Sequence, residues 1–422
     1  MIIYFLFIRI AAFLGHKKAR ALVHGQQETI SKLQSPSSRI QSPIWIHAAS
    51  VGEFEQARPL IERLRRERPQ QQIVVTFFSP SGYEARKNYE SADGIYYLPF
   101  ATRRNAKRFL DALKPKMAIF VKYEFWPAYL KELKKRNIPT YSISAIFRPK
   151  QIFFHFWGRP LLRVLKCFTH IYVQDGASRR LLAEHGIHNT TVAGDTRFDR
   201  VRDVMANGRM VNGERLTPIA QFAQGCERVI VAGSTWPKDE VLLKQYMNTD
   251  RYADSAQNTG QGTKLILVPH EIDEKHLHFI FNLFKGCFVR YSAVNKMTDA
   301  VSRQNILRQA KVLLIDEMGL LSSIYPFGQV AYIGGGFGVG IHNTIEAAVY
   351  GLPVVFGPNY KHFREAIGLI ENGAARSIKN YSELEAALTT ALDRHTEIGA
   401  KAAEYVQSEL GATEKIYNKI FS

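Results

Sequence analysis

Short β-branched apolar runs alternate with amphipathic helical stretches along most of this chain, and that alternation leaves few possible folds. Runs at Ile44–His47, Ile73–Phe78, Met117–Val121, Thr140–Ser144 and Ile171–Val173 read as buried strands. Between them lie helical patterns such as Glu55–Glu67 and Arg103–Leu113. The first gathers Leu60, Ile61 and Leu64 on one face and sends Arg58, Arg65, Arg66 and Arg68 elsewhere. Such a succession predicts a parallel sheet with helices on both faces. The pattern pauses at about 202–223, a polar stretch with Asn207-Gly208, Asn212-Gly213 and Pro218. It restarts with Val229–Ala232, Leu265–Val268, Val312–Ile315, Val330–Ile333 and Val354–Phe356. A chain of 422 residues can build two domains with separate cores. The expected architecture is α/β, with two Rossmann-like domains facing a central cleft at the carboxyl ends of their strands. The expected boundaries are an N-terminal anchor at 1–20, a first domain at 21–202, a linker at 203–222 and a second domain at 223–404. A last helix, about Tyr405 to Phe421 within 405–422, crosses back to the first domain. Asp250–Thr263 reads as a surface loop.

Charge separates the halves. Residues 1–200 hold 33 Lys and Arg against 15 Asp and Glu, whereas residues 201–422 hold 23 of each. One domain therefore meets an anionic partner and the other does not. Cys167, Cys226 and Cys287 stand far apart, which fits neither a zinc site nor a disulfide framework and suits a reducing compartment. Met1–Gly15 is apolar apart from Arg9, and His16-Lys17-Lys18-Ala19-Arg20 follows. The stretch is short for a bilayer span, which needs about 20 residues. Its basic residues follow the apolar run, unlike those of a signal peptide. An anchor at a cytoplasmic membrane interface fits best, with a buried N-terminal helix as the other reading.

Between Ile333 and Ile341, five of seven residues are glycine. The run joins an apolar strand to a stretch, Asn343–Tyr350, that reads as a helix. These glycines let the backbone approach a ligand, and the helix start behind them suits a phosphate. Glu346, one turn in, suits a ribose. The same run also serves as a tight packing turn. No Walker lysine, G-x-G-x-x-G or Asp-x-Asp signature occurs, and no metal or cofactor is expected.

The segment His47-Ala48-Ala49-Ser50-Val51-Gly52-Glu53 repeats the logic of strand, small-residue turn and helix start. A carboxylate at Glu53 can act as general base for a hydroxyl, or it can complement the helix dipole.

This block resembles the signature of the 3-deoxy-D-manno-oct-2-ulosonic acid (Kdo) transferases of lipopolysaccharide synthesis. Five further blocks are similar to that family's in order and spacing. They are Glu124-Phe125-Trp126-Pro127, Gly194-Asp195-Thr196-Arg197-Phe198-Asp199, Gly233-Ser234-Thr235-Trp236, Met318-Gly319, and Gly340-Ile341-His342-Asn343-Thr344-Ile345-Glu346. The resemblance covers about residues 45–370. It implies an inverting GT-B glycosyltransferase that moves Kdo from CMP-Kdo to a hydroxyl of the lipid A precursor at the cytoplasmic face of the inner membrane. Its partners would be that donor, that acceptor and the anionic membrane surface, with no nucleic acid. Glu53 would be the general base, with Ser50, Gly52 and Glu124 positioning the acceptor or donor sugar. Ser234, Thr235, Pro269, His270, Met318, Gly319, Gly338, Gly340, His342, Asn343 and Glu346 would form the donor site.

The chain departs from the family pattern. Pro269-His270-Glu271 stands where Pro-Arg-His is usual, so the phosphate-binding arginine is replaced or moved, with Lys238, Lys361 and Arg364 as candidates. Leu320 follows Met318-Gly319 where the family has glutamate, Lys122 replaces an acid, and Arg148 comes two places late. Other readings of single residues stay open: Ser234 and Thr235 as helix caps, Met318 as core filler, His270 as loop packing. Phe153, Phe154, Phe156 and Trp157 read as a membrane-facing patch or as core. Two rival functions remain: a GT-B transferase using a UDP-sugar and a lipid-linked acceptor, and a non-enzymatic binder of anionic lipid or nucleic acid.

Overall fold

The computed structural model describes residues 2–35, 39–206, 213–249 and 262–422. They form two compact units, Met1–Arg200 with Glu409–Ser422, and Val201–Ser408. Residues 207–212 of the expected linker, and the expected loop Asp250–Thr263 up to residue 261, lie outside the described residues. The flanks of that linker are helical, Thr196–Ala206 and Gly213–Ala223.

The first unit holds a seven-stranded parallel sheet. Its strands are β1 (Ile44–His47), β2 (Ile73–Phe77), β3 (Gly94–Tyr97), β4 (Met117–Val121), β5 (Thr140–Ala145), β6 (His170–Val173) and β7 (Thr190–Val192), in the order β3-β2-β1-β4-β5-β6-β7. Alternation decides what each face packs against. Trp45 turns one way, into a nest of Phe109 and Phe120, each 5.1 Å away, and Tyr129 at 5.7 Å. Ile44 and Ile46 turn the other way, onto Phe54, Ile61 and Leu64 of the helix Val51–Glu67. Burying both faces explains why these strands read as unbroken apolar runs.

The second unit repeats the plan with β8 (Val229–Thr235), β9 (Lys264–Pro269), β10 (Phe288–Arg290), β11 (Val312–Leu314), β12 (Val330–Ile333), β13 (Val354–Phe356) and β14 (Ala375–Ser377), in the order β10-β11-β9-β8-β12-β13-β14. The four strands the sequence pattern does not single out, β3, β7, β10 and β14, are the four sheet edges. They are three or four residues long and mostly half-buried. Their register comes from one neighbour, so they carry little apolar signal of their own.

The last expected helix differs. The one expected over about 405–421 is two, His395–Ser408 and Ala412–Phe421, broken where Gly411 takes φ +95°. The second belongs to the first unit, where Ile416 and Tyr417 join the core beside Phe54. Asp199 holds its start, accepting from the N–H groups of Gly411 (2.7 Å) and Thr413 (2.6 Å). At the other end of the chain, helices Ile2–Phe13 and Lys17–Gln34 are joined at Gly15, with Arg20 Nε donating to the Ala12 carbonyl at 2.8 Å. The longer helix is tied to the sheet by Thr29, whose hydroxyl donates to the Tyr97 carbonyl at 2.9 Å. It needs Gly25, because a Cβ there would stand 2.3 Å from the Tyr97 ring. Among the described residues no helix is long and apolar enough to cross a membrane. Phe153 and Phe154 pack against the core, whereas Phe156 and Trp157 are exposed.

Removing the Asp199 carboxylate strips the half-buried Gly411 N–H and the buried Thr413 N–H of their acceptor. Asp199→Ala is expected to destabilise the first unit by about 1–2 kcal/mol, read as an earlier urea midpoint. An unchanged midpoint would mean that apolar packing alone seats the last helix.

Candidate functional site

In each sheet the strand order reverses at one point, β1 against β4 and β8 against β12. Loops leaving adjacent strands in opposite directions open a place for a ligand there.

In the first unit β1 ends at His47 and the chain turns through Ala48 and Ala49 into the helix Val51–Glu67. Ser50 is its N-cap, and Glu53 completes a reciprocal capping box. Glu53 Oε2 accepts from the Ser50 N–H at 2.8 Å and the Ser50 hydroxyl at 2.7 Å. Glu53 is half-buried, and among the described residues its Oε1 has no partner. One oxygen is thus anchored and the other open. The dipole-complementing and catalytic readings of this carboxylate are compatible, because they use different oxygens. Gly52 is exposed in the same turn, and a Cβ there would meet nothing nearer than Ser50 Oγ at 3.9 Å. Neither packing nor a positive φ requires this glycine, although glycine inside a helix costs about 1 kcal/mol.

β4 ends beside it. Lys122 takes the left-handed conformation at φ +59°, which turns the chain so that Glu124 reaches back. Glu124 Oε2 accepts from Trp126 Nε1 at 2.5 Å and lies 3.2 Å from Nε2 of the fully buried His47. On its far side His47 Nδ1 lies 3.0 Å from the Thr76 carbonyl oxygen. His47 and Trp126 thus fix Glu124, whose side chain keeps 12% exposure. The sequence hides this role: a histidine closing a strand looks like ordinary core.

The Gly194–Asp199 block is structural here. Asp195 is buried and accepts from Gln56 Nε2 at 3.0 Å and from Arg197 at 2.7 and 2.9 Å. Burial alone would raise its pKa, but the Arg197 charge and these hydrogen bonds hold it below the usual carboxylate value.

In the second unit β8 carries an irregularity between Gly233 and Thr235, with Ser234 at φ +54°. Strain of this sort at a strand end is a mark of functional sites. The glycine run packs against it. A Cβ at Gly334 would stand 2.2 Å from the Ser234 carbonyl oxygen, and one at Gly336 would stand 2.6 Å from Gly357. Gly335 and Gly340 take φ +88° and +147°. Four of the five glycines are therefore needed by the turn itself. Gly338 is not: it is exposed, and its nearest would-be contact is 3.6 Å away.

Buried Asp239 clamps the start of this loop. Its carboxylate accepts from the N–H groups of Gly335 (2.9 Å) and Trp236 (3.0 Å) and from the Tyr332 hydroxyl (2.7 Å). Burial raises its pKa, and the hydrogen bonds oppose that shift. Thr235 does not cap the next helix; its hydroxyl donates to Glu240 at 2.9 Å, and Glu240 is also 3.0 Å from His276 Nε2. Asp239, Glu240 and His276 were not singled out from sequence, since first-turn acids and a helix histidine have ordinary structural uses.

Three rings meet above the strand ends. His270, following Pro269 at the end of β9, stacks on Trp236 at 5.0 Å and on His342 at 4.2 Å, and Trp236 Nε1 donates to His342 Nε2 at 3.2 Å. Burial, with His270 adding to it, lowers the His342 pKa to about 4.

The helix expected over Asn343–Tyr350 is corrected to one turn, Ile345–Ala348, because Gly351 (φ +69°) and Pro353 stop it. So short a helix has little dipole, and its anion-binding capacity is reduced accordingly. Asn343 Oδ1 accepts from the Ile345 N–H at 3.1 Å, and its Nδ2 donates to Glu346 Oε1 at 2.9 Å. Met318 does not fill the core; it is 68% exposed on the loop after β11, beside Gly319 at φ +84°. Lys238 and Lys361 are exposed, and Arg364 is half-buried. Among the described residues no cluster of His, Cys, Asp or Glu could hold a metal ion.

Because His342 folds neutral, the unfolded chain takes up a proton below pH 6.5 that the folded chain refuses until about pH 4. Stability of the second unit is therefore expected to fall as pH drops through that window. Thermal midpoints from pH 7 to 4.5 should decline less steeply in His342→Gln than in wild type; equal slopes would contradict this.

The profile of a family described as 3-deoxy-D-manno-octulosonic-acid transferase (kdotransferase) matches residues 18–200. A 3-deoxy-D-manno-octulosonic acid transferase of Aquifex aeolicus is 27% identical, covering 84% of this chain and 87% of its own. One of Rickettsia prowazekii is 26% identical, covering 97% and 84%. Among solved structures, a UDP-GlcNAc 2-epimerase from Neisseria meningitidis bound to UDP-GlcNAc has a TM-score of 0.63 over 90% of this chain and 99% of its own. At 13% identity that likeness is of fold alone. Two parallel seven-stranded sheets with their helices make the fold GT-B. With the profile on the first unit and relatives of the same name along most of both units, the chain is a glycosyltransferase similar to the 3-deoxy-D-manno-octulosonic acid transferases.

Proposed function

We propose that the protein transfers Kdo from CMP-Kdo to a hydroxyl of the lipid A precursor with inversion, at the cytoplasmic face of the inner membrane. The observation that carries this reading is the Glu53 carboxylate, anchored through Oε2 by Ser50 and open at Oε1. Oε1 takes the proton of the acceptor hydroxyl as that oxygen attacks the anomeric carbon, and the bond from that carbon to the CMP phosphate breaks. The leaving group is a phosphate monoester, so it departs without being protonated first. The exposed turn at Gly52 leaves room for the incoming acceptor, and Glu124, fixed by His47 and Trp126, orients a hydroxyl next to it. The donor belongs to the second unit. There the backbone N–H groups near Gly338 and the Asn343 side chain receive the phosphate, and Glu346 receives the ribose. The stacked Trp236, His270 and His342 offer a ring surface where the family has arginine. Helix Ile2–Phe13, with Phe7 and Phe13 exposed and Lys17, Lys18 and Arg20 behind it, suits an anionic membrane surface.

The test is transfer from CMP-Kdo, generated in place, to a tetra-acylated lipid A precursor, followed by mass spectrometry. Glu53→Gln is the informative variant, because glutamine also completes a capping box and preserves the fold. It should lose roughly 10²–10⁴-fold in rate with CMP binding unchanged. Wild-type rates in Glu53→Gln would sink the base assignment. Glu346→Ala should weaken CMP binding about tenfold by calorimetry, the loss of one hydrogen bond to a charged group. An unchanged dissociation constant would remove Glu346 from the ribose site.

A further inference from the structure

A cavity of about 410 Å³ lies within the first unit, under the N-terminal helices and away from the residues at the ends of β1 and β4. Its volume is in the range of small-molecule sites, roughly 300–1,000 Å³. Arg9 of the helix Ile2–Phe13 and Arg108 of the helix Arg103–Leu113 both line it, and neither has an ion-pair or hydrogen-bond partner among the described residues. Ile30 and Phe100 give it an apolar wall. Gln26 lines it too, and is the decisive residue. It is 4% exposed, yet neither its Nε2 nor its Oε1 has a hydrogen-bond partner. A buried amide with both ends unpaired is costly, and native structures seldom keep one without a use. Asn105 adds a second carbonyl oxygen, its Nδ2 being taken by the Phe100 carbonyl at 3.0 Å.

The donor and acceptor pattern specifies the ligand. Two guanidiniums and the Gln26 N–H groups require an anion with several oxygens, for which phosphate is the natural match. The Gln26 and Asn105 carbonyl oxygens require a donor next to that phosphate, a hydroxyl or an ammonium. A phosphodiester beside a hydroxyl or primary ammonium is the head group of a glycerophospholipid such as phosphatidylglycerol or phosphatidylethanolamine. The lipid source is favoured by Arg9's own helix, where Phe7 and Ile10 on either side are 67% and 45% exposed and Phe13 is 86% exposed. We propose that this cavity is a glycerophospholipid head-group site that seats the N-terminal helices on the membrane. The inference stands whatever the transferred sugar or the acceptor.

Phosphatidylethanolamine and phosphatidylcholine have the same net charge, but only the former carries an N–H donor. The full chain should therefore bind phosphatidylcholine vesicles on the order of tenfold better when phosphatidylethanolamine is included, as measured by co-sedimentation. Gln26→Leu should abolish that preference without changing net charge. Arg108→Ala should weaken binding about tenfold, whereas Arg104→Ala, which removes the same charge from the same helix outside the cavity, should not. Far-UV circular dichroism checks that each variant folds, and Gln26→Ser replaces Gln26→Leu if the leucine does not. Millimolar glycerophosphoethanolamine should displace the protein from such vesicles, and inorganic phosphate should not. Equal losses in Arg104→Ala and Arg108→Ala would reduce the effect to surface charge and overturn the proposal. So would a preference that survives in Gln26→Leu, or displacement by inorganic phosphate as effective as by the head group.

Discussion

Burial of both faces of each parallel sheet is the constraint on which the rest depends. Strands covered on both sides have almost no place for a working polar group along their length, so chemistry moves to the strand ends. Glu53 and Glu124 follow β1 and β4; Ser234 sits at the end of β8, and His270 and the glycine run follow β9 and β12. His47 and Thr76, toward the ends of their strands, show how a polar group in such a strand is satisfied. They are fully buried polar groups that pair with each other, and His47 carries the pairing on to Glu124.

The backbone is strained at the same places. Lys122, Ser144 and Ser234 take positive φ without being glycine, each at or next to a strand end. Such conformations cost of order 1–3 kcal/mol each and persist only where the surroundings enforce them. The enforcement is visible. Lys122 N–H donates to the Ile143 carbonyl at 2.9 Å, and Gln174 holds the Ser144 carbonyl at 3.0 Å. Ser234 is pressed against Gly334, where no side chain fits. In the second unit Asp239 then ties the start of the loop down through three hydrogen bonds.

Glu53 shows how a structural role can occupy only half of a carboxylate. The capping box fixes the side-chain rotamer through one oxygen and leaves the other open and already ordered. That is preorganisation built from helix-cap chemistry. The glycine run divides in the same way. Gly334, Gly335, Gly336 and Gly340 belong to the turn, and Gly338 stands free of it.

The sequence by itself determined the two-sheet α/β plan, since the interior strands carry the apolar runs that burial on both faces demands, and it pointed to Glu53 and the glycine run by residue type beside a strand end and to Glu124 through the family resemblance. It was silent on the four edge strands, whose short half-buried segments take their register from a neighbour. Only tertiary structure split the last helix at Gly411, because Asp199, more than two hundred residues earlier, supplies the cap of its second part. Only tertiary structure joined His47 to Glu124, stacked Trp236, His270 and His342, and left the Gln26 amide buried without a partner. Each of these depends on groups far apart in the chain, and local pattern has no way to encode which of them meet.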